Sequence, residues 1–288
     1  MGIEQKAIVA TAVFLLAIFI IFTFETNLKA SYKETAAKQT CKSSVQANSA
    51  LRLRYADFSN TIQCPTTYLT INDKNENVVK KRIADAMVDC WDQFGRGHPD
   101  LFTDDNIYCT ICHRITFGNN IKVNGVSEYL ATKNAPRKDM TYLQFLTTEK
   151  TQGAKFLNEL QKQKIDHNLD TSKMNEYAVM FVYVKGKEYQ KEYMEKYKYY
   201  ASGLGTIAIG YGVVKAGAAI GFTGIGAPIA LGVSSVGGVI MSFGLLFGGV
   251  GVATAGVPFE HIASVSFVPY DSENLKQLNC KDVPISQQ

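Results

Sequence analysis

From Gly203 to Pro258 the chain is almost entirely glycine and apolar residues, and Lys215 is the only formal charge in that tract. Sixteen of the chain's 23 glycines fall within it. As a single helix such a run would far exceed the diameter of a soluble domain, because each residue adds about 1.5 Å. An apolar run of this length with a single charge points to a bilayer. Gly221, Gly224, Gly226 and Pro228 gather near its middle, which is turn chemistry between two segments. The sequence therefore predicts a transmembrane helical hairpin over 203–256, with arms near 203–221 and 228–252. Each arm is close to the roughly 20 residues that cross ~30 Å of hydrocarbon.

Helices in lipid associate through close backbone approach at small residues, because lipid tails solvate leucine as well as another helix does. Gly217 with Gly221, and Gly244 with Gly248, supply that spacing. Lys215 falls near the middle of the first arm, where an ionisable group marks a polar site or a pathway by default. A second apolar segment, Ala7 to Phe24, carries no charge over 18 residues and is flanked by Lys6 and Glu25. It ends in Phe22-Thr23-Phe24-Glu25 rather than at a small-x-small cleavage site. Residues 1–25 thus read as a signal-anchor transmembrane helix.

Six cysteines, Cys41, Cys64, Cys90, Cys109, Cys112 and Cys280, lie outside both apolar segments. An even number in a membrane-anchored chain favours an oxidising compartment and a disulfide set whose pairing the sequence leaves open. A two-span hairpin would return Cys280 to the side of the other five. On that ground 26–202 and 257–288 are expected outside the cytoplasm. Flanking charge does not decide the matter, with Lys6 before the first span and Lys29, Lys33 and Lys38 after it.

Residues 26–202 read as one α+β domain. Asp73 and Glu76 form a helix start signal, and Val79, Ile83, Ala86, Met87, Cys90 and Phe94 recur on one face, so a helix is expected over 74–94. Gly95 and Gly97 end it, and Trp91 reads as a packing residue. Tyr108 to Phe117 and Ile121 to Val126 suggest a β-hairpin across Gly118-Asn119-Asn120. Glu176 to Lys185 and Ile262 to Tyr270 are strand-like, and their antiparallel pairing would make the apolar tract an excursion between neighbouring strands. Tyr189, Tyr193, Tyr197 and Tyr200 form one stripe on a Tyr/Lys-rich juxtamembrane helix over 186–201. Tyrosine favours the headgroup level, so the stripe is read as a membrane-interface element; the plain alternative is a helix packed on its own domain.

One motif carries specific chemistry. Cys109-Thr110-Ile111-Cys112-His113 matches C-x-x-C-H, the pattern of covalent c-type haem attachment. His98, His167, His261 or Met87 would supply the remaining axial ligand. The β-like setting and the other four cysteines favour structural disulfides instead, and the spacing supports no standard zinc site. Phosphate-binding, nucleophile-elbow and zinc-protease motifs are absent. The acidic group Asp100, Asp104 and Asp105 reads as a solvated loop.

The expected architecture is a membrane protein with an N-terminal transmembrane helix, an α+β disulfide-stabilised extracytoplasmic domain and a Gly-rich transmembrane helical hairpin. The role it suggests is non-enzymatic: a structural or interaction component of a cell-surface or envelope assembly. Its partners would be the lipid bilayer and copies of itself or other membrane proteins, with no nucleic acid, metal or cofactor. One alternative is a pore-forming or membrane-inserting protein with Lys215 in the pathway. A second is a membrane-tethered c-type haem electron carrier using Cys109, Cys112 and His113.

Overall fold

The computed structural model describes residues 13–16, 18–19, 35–50, 62–97, 100–136, 138–147, 169–200, 207–214, 231–233, 239–243, 259–271 and 280–282. The chain divides into two units, Met1–Thr40 and Cys41–Gln288. In the first, residues 13–16, 18–19 and 35–40 are helical. Val13, Phe14, Leu15, Leu16, Ile18 and Phe19 are all between 45% and 69% exposed. A helical run with every described side chain apolar and open is a surface that demands a cover.

The second unit is built on one sheet. Its strands are β1 (Thr67–Ile71), β2 (Ile107–Phe117), β5 (Glu176–Lys185), β6 (Ile207–Val214), β7 (Leu231–Val233), β8 (Val239–Phe243), β9 (Phe259–Pro269) and β10 (Lys281–Asp282). Across the sheet they run β1-β2-β5-β9-β6-β8-β7, and β10 lies beside the start of β2. A two-stranded ribbon pairs β3 (Lys122–Val123) with β4 (Leu169–Asp170). Residues 41–50 are helical, and further helices are α1 (Glu76–Gln93), α2 (Val126–Thr132), α3 (Tyr142–Thr147) and α4 (Lys187–Tyr200).

Helix α1 forms where the apolar spacing demands it, and Val79, Ile83, Ala86, Met87, Cys90 and Phe94 are all buried. Its start differs from the expected Asp73/Glu76 signal. Asn75 is the N-cap, its side chain accepting from the Asn77 amide at 2.9 Å, while Glu76 accepts from the Asn124 amide at 3.2 Å. The helix packs on the centre of the sheet. Phe181 of β5 stacks on Phe94 at 4.2 Å between centroids and lies 6.1 Å from Trp91. Trp91 is fully buried in this core.

Strand β5 is buried from Tyr177 to Val184, which explains its near-continuous run of aromatic and β-branched residues. It pairs antiparallel with β9 over Tyr177–Lys185 opposite Pro269–His261. On its other side it pairs antiparallel with β2. The expected hairpin of β2 with the run after it does not form. β2 instead joins parallel β1 and antiparallel β5, while only Lys122–Val123 of the second run is a strand, paired with β4. A long buried strand gains more from two ladders than from folding back on a short polar neighbour.

The glycine-rich tract departs most from expectation. Its described parts are strands rather than helical arms: β6 pairs antiparallel with β9 from Ile207 opposite Phe267 to Val214 opposite Phe259, and β8 and β7 follow outward. Hydropathy alone does not separate a helix from a strand. Ile207, Ile209, Tyr211 and Val213 alternate with Ala208, Gly210 and Gly212, a period of two that suits a strand, and each glycine costs a helix about 1 kcal/mol relative to alanine. Gly217, Gly221, Gly244, Gly248 and Lys215 lie outside the described residues. No helix among the described residues is long and apolar enough to cross a membrane.

Candidate functional site

All six cysteines are oxidised, in the pairs Cys41–Cys64, Cys90–Cys112 and Cys109–Cys280. The strand period explains why Cys109 and Cys112 never meet. Alternation along β2 turns Cys109 and Ile111 to one face of the sheet and Thr110 and Cys112 to the other. A bulge then sets Cys112 and His113 together opposite Val179, so both face α1. Cys112 bonds Cys90 of that helix, and His113 Nε2 lies 3.1 Å from Asp89 Oδ2. Cys109 bonds Cys280 from the other face. With both sulfurs in disulfides on opposite faces, the haem reading of Cys109, Cys112 and His113 loses its two thioether attachments.

The densest convergence of ionisable side chains lies at the other end of β2 and β5. After α1 the chain makes a left-handed turn, with φ of 61° at Gly95, 58° at Arg96 and 67° at Gly97. A non-glycine residue here carries strain of about 1 kcal/mol or more. Arg96 is held by its guanidinium, 4.6 Å above the Phe145 ring and 3.5 Å from Asp92. The Gly97 carbonyl lies 3.0 Å from His261 Nε2 of β9, and the His261 ring stacks on Tyr183 of β5 at 4.7 Å. The Tyr183 hydroxyl donates to Asp100 at 2.8 Å. Lys185 donates to both oxygens of Asp100 at 3.0 Å and to the Phe102 carbonyl at 2.8 Å.

This arrangement acts as a brace. Lys185 neutralises the one carboxylate that Tyr183 also uses, and its donors are spent on Asp100 and Phe102. What these groups do is fasten Gly97, Asp100 and Phe102 onto β5 and β9. Gly186 belongs to the same brace: its φ is 86°, and a Cβ there would meet Asp105 at 2.6 Å. The acidic loop is therefore partly structural, with Asp100 in the ion pair and Asp105 against Gly186.

A second polar group lies on the face of the sheet away from α1. Arg114 donates to Glu176 at 2.5 Å, its guanidinium lies 4.3 Å from the Tyr270 ring, and its cross-strand neighbour on β1 is Tyr68. Tyr68 is 74% exposed. Through Tyr68 this row of cation and aromatic side chains opens to solvent, whereas in the Asp100–Lys185 pair the lysine is enclosed, at 16% side-chain exposure, and the carboxylate is at 39%.

The tyrosine stripe divides. Tyr193 is buried, its hydroxyl 2.8 Å from Ser264 Oγ of β9, so it packs α4 on its own sheet rather than standing at a membrane interface. Tyr189 is half-buried, and the side chains of Tyr197 and Tyr200 lie outside the described residues. Met87 is fully buried in the α1 core, and His98 and His167 lie outside the described residues. Tyr183, Lys185, His261 and Arg114 carried no motif in the sequence. Strand register brings Tyr183, Lys185 and His261 together at one end of β5 and sets Arg114 apart from them, beside Tyr68. Among the described residues no cluster of His, Cys, Asp or Glu has the geometry of a metal site. No protein-family model, curated protein or solved structure matches the chain.

Proposed function

We propose that this chain is a membrane-anchored, non-enzymatic assembly component whose disulfide-locked domain faces an oxidising compartment. The observation that carries the reading is the continuity of the sheet. The apolar tract is hydrogen-bonded through β6 to β9, and β9 to β5, so it is one mechanical unit with the locked domain rather than a separate tether. Three disulfides suit an extracytoplasmic setting. The exposed apolar side chains from Val13 to Phe19 suit an anchor. A tract of this composition with an anchor already present is better suited to joining proteins than to holding one in place.

The reading is tested on the full chain. It is expected to stay with membranes through an alkaline carbonate wash and, once extracted in mild detergent, to run at a native mass of more than one copy. A soluble single-copy chain with free thiols would overturn it.

The strand conformation of the tract favours membrane insertion as a second reading. A transmembrane strand needs about 9–11 residues; β6, at 8, falls one short, so this reading rests on the tract's apolar composition and Lys215 rather than on strand length. Conductance in planar bilayers that changes on Lys215→Leu would move the assignment to a pore. Silent bilayers leave the assembly reading in place.

A further inference from the structure

We propose that β1 is a self-pairing edge, through which two copies of the chain join their sheets antiparallel about a two-fold axis at Leu69. Among the described residues β1 ends the sheet, with β2 as its one neighbour. The Ile71 carbonyl accepts from the Gly118 amide on the β2 side. Backbone groups alternate along a strand, so Thr67 and Leu69 also turn toward β2, and Tyr68 and Thr70 present their N–H and C=O groups outward. An unpaired edge of this kind is a template for another strand, and proteins blunt it with charge, proline or a bulge. Thr67–Ile71 has none of these, and no charged residue occurs from Ile62 to Asn72.

The occupant is set by self-complementarity. Antiparallel pairing centred on Leu69 places Tyr68 opposite the partner's Thr70, and Thr70 opposite the partner's Tyr68. These are the outward-bonding positions, so each pair exchanges both backbone hydrogen bonds. Leu69 meets the partner's Leu69 in the closer, non-bonded pair. The same register sets Asp73 opposite the partner's Pro65 and Lys74 opposite the partner's Cys64, so no like charges oppose. Tyr68 is the one large apolar side chain exposed in the second unit among the described residues. Pairing covers it and extends the row formed by Arg114, Glu176 and Tyr270. This interface lies at the opposite end of the sheet from β7, and it goes beyond the assembly reading because it does not use the apolar tract.

Charge exchange in the full chain tests the register. Tyr68→Lys with Thr70→Lys opposes two lysine pairs across the interface and is expected to weaken self-association roughly tenfold, so that the copies per particle halve at concentrations where the parent just assembles. Tyr68→Glu with Thr70→Lys opposes glutamate to lysine and is expected to restore the parent mass. Both positions are exposed, and unchanged disulfide maps and melting curves would show that each variant folds. Equal copy numbers in the two variants would overturn the inference and leave assembly through another surface standing. A single-copy parent chain in membranes would overturn self-pairing and the assembly reading together, and a parent particle holding one copy and a different protein at this edge would overturn self-pairing alone.

Discussion

Tyr177 and Tyr193 show how burial of single residues couples this fold to pH. Burial pushes the Tyr177 phenol up to about 12. Burial also pushes Tyr193 up to about 12, against an opposing contribution from its hydrogen bonds with Ser264 and Ser266. Burial and the Asp85 hydrogen bond raise Tyr142 in the same direction. Below the unfolded phenol value of about 10 all three are protonated in both states and add no pH dependence. Above it the unfolded chain loses protons first, so stability falls as pH rises from about 10 toward 12, by on the order of 1.4 kcal/mol per pH unit for each tyrosine. Urea midpoints at pH 9, 10 and 11 check this: a fall beginning above pH 10, flattened by Tyr177→Phe and by Tyr193→Phe, is expected. A midpoint constant to pH 11 would refute it. That these tyrosines are buried was only half legible. Tyr177 sits in a strand of apolar residues, but Tyr193 sits in a lysine-rich helix whose stripe fits lipid and protein equally well, and only Ser264 on a distant strand decided between them.

At the scale of elements, disulfides fasten three pairs of segments, and their accessibility differs. Cys41, Cys64 and Cys90 are between 0% and 2% exposed and Cys112 is 3%, whereas Cys109 is 8% exposed and Cys280 is half-buried beside the short β10. A soluble thiol must reach a sulfur to attack it. Cys109–Cys280 is therefore expected to reduce first under mild dithiothreitol in native buffer. Timed alkylation and peptide mapping would show it, and labelling of Cys90 or Cys41 ahead of Cys280 would contradict it. The helix α1 was readable from its apolar period, and the strands β5 and β9 from their runs of aromatic and β-branched residues. The pairing of β2 was not, since Gly118-Asn119-Asn120 is good turn chemistry and local chemistry says nothing about the competing ladders from β1 and β5. Gly118 serves a different need: a Cβ there would meet the Asn72 side chain at 2.0 Å, so it permits β1 and β2 to close at their ends.

At the scale of the whole molecule, the Cys109–Cys280 bond spans 171 residues and encloses the entire apolar tract, while the other two span 23 and 22. The loop-entropy model gives about 5 kcal/mol for the long closure and about 3 kcal/mol for each short one. Cys109→Ala with Cys280→Ala should therefore cost more stability than Cys41→Ala with Cys64→Ala, measured by denaturant midpoints on the full chain. The reverse order would mean that the two ends of the tract are held by β5–β9 pairing alone. The sequence by itself determined that the chain carries two long apolar segments, an even cysteine set, a helix expected over 74–94 and two strands that flank the tract, because composition and local period are properties of neighbouring residues. Only the tertiary structure decided the cysteine partners, the brace of Asp100, Tyr183, Lys185 and His261, and the strand conformation of the tract. Each depends on register between segments far apart in the chain, and an apolar, glycine-rich run satisfies a helix in lipid and a strand on a sheet until its hydrogen-bonding neighbour is known.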